Sequence, residues 1–182
     1  MKRMSKFIIA LMLIGLTAFG IAIGDSKQTQ STSPEAPDKI EWLAFDEGLE
    51  ALEADTLNRH MFIDITAAWC GWCKRMDREA FADSAVIRLV NEHFIPVKLW
   101  SDSRKMLDID GYQISEQNLA RSEFKVSGVP VFWFLSPEKM RIGPLRGYQT
   151  VDRMTKALEY VKAFEYDTTR TEDDDQGKEK NK

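Results

Sequence analysis

Between residues 40 and 164 the chain alternates short apolar runs with amphipathic or polar stretches, and the alternation predicts an ordered series of elements. Over residues 46–58, Leu49, Leu52 and Leu57 recur with Phe45 just ahead of them, a loose helical stripe. Residues 61–67 form a short apolar run with β-branched members and a single acid, Asp64, which predicts a strand buried on both faces. A helical stretch over 84–91 follows, with Asp83 or Ser84 available as its cap. Residues 94–100 read as another buried strand. Residues 101–111 are polar and carry no clear period, and a short helix is expected after Ser115. A third apolar run occupies 129–135, and Pro137, Glu138 and Lys139 supply turn chemistry before a strand over 140–145, so the two strands predict a hairpin. Thr150 can cap a last helix in which Val151, Met154, Leu158 and Val161 recur at helical spacing. The order is βαβ, a linking helix, then ββα: an α/β fold with a mixed four- to five-stranded sheet and helices on both faces.

The two ends of the chain read differently. Lys2, Arg3 and Lys6 precede residues 7–24, which contain no charged side chain and finish on Ala22-Ile23-Gly24. A basic start, an apolar run and a small-residue exit predict a secretory signal peptide over 1–24, cut before Asp25. The alternative is an uncleaved membrane anchor, since eighteen residues reach the lower limit for a spanning helix. Both readings put the bulk of the protein outside the cytoplasm, in a periplasm or its equivalent, with membrane contact only through an uncleaved N-terminal segment. Residues 25–39, dominated by Ser, Thr, Gln and Pro, read as a flexible linker. Residues 166–182 read as a disordered charged tail. The folded unit is therefore expected over 40–165.

Composition narrows the function classes. With 43% hydrophobic residues and 30% charged, the 182-residue chain affords one real core. Its 25 basic residues fall short of its 29 acidic ones, which argues against nucleic acid as a partner. Only two cysteines are present, which excludes a multi-bridge framework and any four-cysteine zinc or iron–sulfur centre. The two histidines, His60 and His93, read as ordinary surface or helix-end residues.

Those cysteines stand in Cys70-Gly71-Trp72-Cys73, where a predicted strand gives way to a helix. This puts the first sulfur at the helix N-terminus and the second one turn inside. Unpaired N–H groups and the positive end of the helix dipole stabilise a thiolate on Cys70, making it the nucleophile, and shielded Cys73 resolves the mixed disulfide. Lys74 adds positive charge nearby. Two blander readings stay open: half of a zinc site, or a structural disulfide, although a ring this short constrains little chain.

Trp69-Cys70-Gly71-Trp72-Cys73-Lys74 resembles the Trp-Cys-Gly-Pro-Cys-Lys active site of the thioredoxin superfamily, with Trp72 in place of the proline. Gly128-Val129-Pro130, opening an apolar strand, is similar to that family's cis-proline loop. Asp64, six residues before Cys70, falls where the family keeps a buried acid that moves protons to and from the resolving cysteine, and Gly147 is similar to its glycine near the last helix. The likeness covers about residues 40–164. Residues 75–83 and the polar 101–123 segment further resemble exported thioredoxin-like proteins of the SoxW group and the C-terminal domain of the disulfide interchange reductases.

The resemblance implies a thioredoxin-like fold and a thiol–disulfide oxidoreductase, with Cys70, Cys73 and Asp64 catalytic and with Trp69, Gly71, Trp72, Val129 and Pro130 contacting substrate. It implies no metal and no organic cofactor beyond the cysteine pair. It also implies protein or small-molecule disulfides and thiols as substrates and a membrane-bound redox partner. A reductase of protein disulfides is the leading expectation. An oxidase or isomerase, and a non-catalytic binding or chaperone-like module, are the alternatives.

Overall fold

The computed structural model describes residues 38–167. The elements, in chain order, are α1 (Phe45–Glu53), β1 (His60–Thr66), α2 (Gly71–Arg78), a 3₁₀ turn (Ala80–Ala82), α3 (Ser84–His93) and β2 (Phe94–Trp100). They continue with β3 (Met106–Ile109), β4 (Tyr112–Ser115), the short α4 (Glu116–Asn118) running into a π-helical turn (Leu119–Glu123), β5 (Val131–Leu135), β6 (Arg141–Arg146) and α5 (Val151–Lys162). The expected export segment, nearly all of the expected linker and residues 168–182 lie outside the described residues.

The main sheet has four strands in the order β2–β1–β5–β6. β1 runs parallel to β2 and antiparallel to β5, and β5 pairs antiparallel with β6, so the sheet is mixed, as an α/β thioredoxin-like fold requires. Every residue of β1 is buried, because both faces of this central strand are covered. Alternate positions feed two cores. Phe62, Phe132 and Phe134 face α2, α3 and α5, where Met76, Val86, Val90, Met154 and Leu158 meet them. Ring centroids lie 6.0 Å apart for Phe62–Phe132 and 5.3 Å for Phe62–Phe134, so an aromatic stack forms the middle of that layer. Met61, Ile63 and Ile65 face the other way, onto Phe45 and Leu52 of α1 and onto Leu119 and Phe124 of the segment after β4.

Helix ends follow side-chain chemistry. Asp83 caps α3, its Oδ1 accepting the Ala85 and Val86 N–H groups, and the Thr150 side chain accepts the Arg153 N–H at the start of α5. The first helix is shorter than the 46–58 stripe predicts. It stops at Glu53 because the Asp55 carboxylate takes the Leu57 and Arg59 N–H groups into a turn, with Asn58 at φ 60°, leaving Leu57 exposed.

Three further differences from expectation have local causes. The polar 101–115 stretch contains a hairpin, β3–β4, whose Asp110-Gly111 pair takes positive φ at both positions (53° and 82°), the geometry of a tight two-residue turn. His60 is buried, not superficial: it begins β1, and its Nε2 lies 2.6 Å from the Tyr166 hydroxyl with the Phe164 ring 4.3 Å away. Tyr166 accordingly packs on the domain, one residue into the stretch expected to be tail. His93 ends α3, in keeping with its reading as a helix-end residue.

The tightest approach between layers is Gly48 of α1 over β2, where an added Cβ would lie 2.2 Å from Val97 Cγ2. Alanine normally favours a helix over glycine by about 1 kcal/mol, but overpacking a core costs about 1–3 kcal/mol. Gly48→Ala is therefore expected to lower the urea midpoint, a net loss of about 1 kcal/mol, with Val97→Ala in the same chain restoring part of it. A midpoint unchanged or raised by Gly48→Ala would contradict this packing.

Candidate active site

β1 ends at Thr66, and the chain then turns so that the Cys70 N–H meets the Ala67 carbonyl at 3.0 Å. Cys70 is the N-cap of α2, and its Sγ accepts the Cys73 N–H at 3.1 Å. A sulfur thus occupies the place where an oxygen usually satisfies the first unpaired amides of a helix. Cys70 and Cys73 are joined in a disulfide with Cα atoms 5.3 Å apart, and each is only 3% exposed. Gly71 stands over open space. Trp69 and Trp72 flank the pair at 71% and 56% exposure, a large unburied apolar surface beside a shielded sulfur pair.

Val129 packs against Ala67, Cys70 and Cys73. The Val129–Pro130 peptide is cis, and the Pro130 carbonyl accepts the Gly147 N–H at 2.9 Å. Gly147 has φ +77°, a conformation that favours glycine and lets the loop before α5 close onto the proline.

Asp64 lies on the β1 face that meets α2, and it is 2% exposed. Its cross-strand neighbour in β2 is Lys98. The Lys98 ammonium sits 3.4 Å from Asp64 Oδ2 and 2.8 Å from Oδ1 of Asp77 on α2. Burial pushes the Asp64 carboxyl up to about 6; Lys98 opposes the rise and Asp77 adds to it. For Lys98 burial pulls downward, and the two carboxylates outweigh it, so its pKa is raised. Both values rise for opposite reasons: Asp64 is fully enclosed and shares its one cation with a second acid, which disfavours its charged form, whereas Lys98 faces two carboxylates that favour its own. Lys98 also lies 5.1 Å from the Trp42 ring and 6.0 Å from the Trp100 ring, within cation–π range. An open cleft of about 640 Å³, lined by Trp42, Lys98, Trp100, Asp102, Lys105 and Glu116 among others, leads from this ammonium to solvent.

The two flanks of the cysteine pair differ. On one, Trp72 meets Tyr148 with ring centroids 5.5 Å apart, and the Arg75 guanidinium lies 5.5 Å and 4.9 Å from the two rings. Arg75 Nε donates to Glu79 at 2.9 Å, and the Tyr148 hydroxyl donates to the same carboxylate. Those two hydrogen bonds, Tyr148's first, hold the Glu79 carboxyl below its ordinary range. On the other flank a cavity of about 140 Å³ is lined by Trp69, Ser101, Arg121, Ser127, Gly128 and Val129, with Val126 behind. Lys74 is exposed on α2. Among the described residues, no three of His, Cys, Asp and Glu gather where a metal ion would be held.

The fold therefore brings Trp69, Cys70, Gly71, Trp72, Cys73, Val129 and Pro130 to one end of the sheet and sets Asp64 beneath α2. Sequence reasoning does not find Lys98, Asp77, Arg75, Glu79 and Tyr148. A signal exists for two of them: Lys98 is the one charged residue in the apolar 94–100 run, and Asp77 follows Cys73 by one helical turn.

Comparison with known proteins agrees with this geometry. A 108-residue stretch is 27% identical to the thiol:disulfide interchange protein DsbD of Campylobacter jejuni strain RM1221, covering 59% of this chain and 17% of that protein. The chain thus spans less than a fifth of the length of that relative. Among solved structures, a thioredoxin from Thermus thermophilus superposes with a TM-score of 0.55 at 25% identity, over 68% of this chain and 87% of that one. A putative disulphide-isomerase from Bacteroides thetaiotaomicron gives 0.52 at 26% identity, over 69% and 92%. The family model described as "Thioredox_DsbH: Protein of unknown function, DUF255" matches residues 27–172. The fold, the sulfur-capped helix and this match over most of the sequence place the chain in the Thioredox_DsbH (DUF255) family, a thioredoxin-like family related to the thiol–disulfide interchange proteins.

Proposed function

We propose that this protein is an extracytoplasmic thiol–disulfide oxidoreductase that works mainly as a reductase of disulfides. The observation that carries the reading is the Cys70–Cys73 pair capping α2, flanked by two exposed tryptophans and backed by the cis-proline loop. In the reduced protein the Cys70 thiolate attacks one sulfur of a substrate disulfide. The substrate S–S bond breaks, one substrate thiolate leaves and takes up a proton, and Cys70 is held in a mixed disulfide. Cys73 then gives its proton to Asp64 and attacks Cys70 Sγ. The second substrate thiol departs, and the Cys70–Cys73 disulfide holds the two electrons' worth of oxidation. A second protein presenting a dithiol, membrane-bound in this reading, restores the reduced pair. The export segment read over residues 1–24 supports the extracytoplasmic location.

The direction rests on electrostatics. A strongly oxidising pair has a thiolate that its surroundings stabilise well. Two of the nearby cations are committed elsewhere: Arg75 to Glu79, and Lys98 to Asp64 and Asp77. Gly71 and Trp72 add no charge between the cysteines. The hydrogen bond to the Cys70 sulfur comes from the helix N-terminus and not from a side-chain cation, which favours electron donation.

Asp64 suits the proton step because a carboxyl with a pKa of about 6 changes state near the working pH.

Cys70→Ser should abolish reduction of insulin disulfides, and full retained activity would overturn the assignment. Asp64→Asn should slow resolution of the mixed disulfide about 100-fold and remove the rate increase expected of the parent protein on crossing about pH 6. The same variant should gain stability with a defined pH signature. An unfolded Asp releases its proton near 3.8 and the folded one near 6, so the cost of the buried charge begins at about pH 4, grows to about pH 6 and is constant above. Urea unfolding is expected to show no gain for Asp64→Asn below pH 4 and about 1–3 kcal/mol at pH 7.5. A gain that is independent of pH would contradict burial of the ionisable group.

A further inference from the structure

The cavity beside Trp69 holds a cation that the exchange chemistry does not use, and its surroundings are set for a negatively charged guest. Arg121 comes from the π-helical turn after α4, held rigidly by buried Leu119, Ala120 and Phe124 around it and by the Val126 N–H to Ala120 carbonyl bond of 3.0 Å. The guanidinium of Arg141 lies over the Phe124 ring at 5.2 Å and ties the turn to β6. This turn belongs to the polar segment that separates β2 from β5, and it delivers Arg121 next to Val129 of the cis-proline loop.

Two acids on the neighbouring segments have partners of their own. Asp102 accepts the Ala68 N–H at 2.9 Å, and Glu123 is bridged to Arg141 at 3.1 Å. Arg121 itself has no ion pair among the described residues, and no acidic side chain lines its cavity. The opposite flank differs: Arg75 is bonded to Glu79 and covered by Trp72 and Tyr148. The groove around Cys70 thus has an aromatic wall whose charge is balanced and a small recess whose charge is not. At about 140 Å³, and open to solvent on one side, the recess has room for one carboxylate side chain.

We infer that Arg121 is a specificity-determining residue that selects substrate disulfides in which an Asp or Glu adjoins the target cysteine. The carboxylate enters the recess beside Trp69 and meets the Arg121 guanidinium while the cysteine faces Cys70. The inference rests on the oxidoreductase reading above and extends it by naming the substrate class.

The test uses the full chain, prereduced with dithiothreitol and freed of it, in single-turnover exchange with two disulfide-linked peptides identical except for Asp or Lys next to the cysteine. The parent protein should open the Asp peptide about fivefold faster than the Lys peptide at low salt, mainly through tighter binding, the size of a partly exposed ion pair. The ratio should fall toward one at 0.5 M salt as screening shortens to a few ångströms. Arg121→Lys should keep a preference for Asp, and Arg121→Glu should reverse it. Each ratio is taken within one variant, so a change in overall stability or reactivity cancels. A ratio near one in the parent, or an Asp preference that survives Arg121→Glu, overturns the inference and leaves the oxidoreductase reading standing. Failure to open either peptide overturns that reading, and the inference with it.

Discussion

The junction between β1 and α2 is the constraint on which the rest of the site depends. β1 is buried along its whole length, yet four residues beyond it a sulfur must sit at the mouth of a helix, shielded but still in reach of solvent. A strand held by two neighbours and two cores cannot drift, so the start of α2 is fixed relative to the sheet. Cys70 is thereby the cap of α2, and in the proposed exchange it is also the nucleophile: the same Cys73 N–H that satisfies the cap points at the sulfur that would carry the negative charge. The cis-proline loop on β5 and the Gly147 turn are set by the same sheet, because β5 is the other neighbour of β1 and the Pro130 carbonyl accepts the Gly147 N–H.

Charge around this junction is distributed with little to spare. Lys98 serves two carboxylates, and Arg75 serves Glu79 while lying against two rings. The consequence for Asp64 is a carboxyl raised by burial and only partly offset by its shared cation. The consequence for Cys70 is a sulfur that receives its hydrogen bond from a backbone amide and not from a side-chain cation. The first follows from placing an acid and a lysine opposite each other on neighbouring strands, β1 and β2, and a second acid on α2 above them.

Much of this arrangement is legible in the order of the amino acids. Apolar runs mark the central strands closely, because a strand buried on both faces leaves an uninterrupted signature: the expected 94–100 strand is β2 as found, and 61–67 differs from β1 by one residue at each end. Cys70, Cys73, Asp64 and Pro130 stand out as residue types at telling positions. The β3–β4 hairpin escapes because its strands are four residues each and half exposed, so their alternation is too brief to stand out from a polar segment; only Asp110-Gly111 marks the turn. Leu57 misleads because apolar spacing says nothing of an Asp55 side chain that captures the backbone first. Tyr148 and Arg121 leave no such mark, since each owes its place to tertiary contact between segments far apart in sequence.

The central claim is that Cys70 and Cys73 form a reversible redox couple poised to donate electrons. Its most direct test is the equilibrium reduction potential of the pair, measured against thiol–disulfide buffers of known poise with alkylation to count free thiols. The account predicts reversible two-electron behaviour toward the reducing end of the thioredoxin-like range, nearer to about −270 mV than to about −120 mV. A potential at the oxidising end would contradict the direction of electron flow, and a pair that does not exchange at all would contradict the claim that it is the working part of the protein.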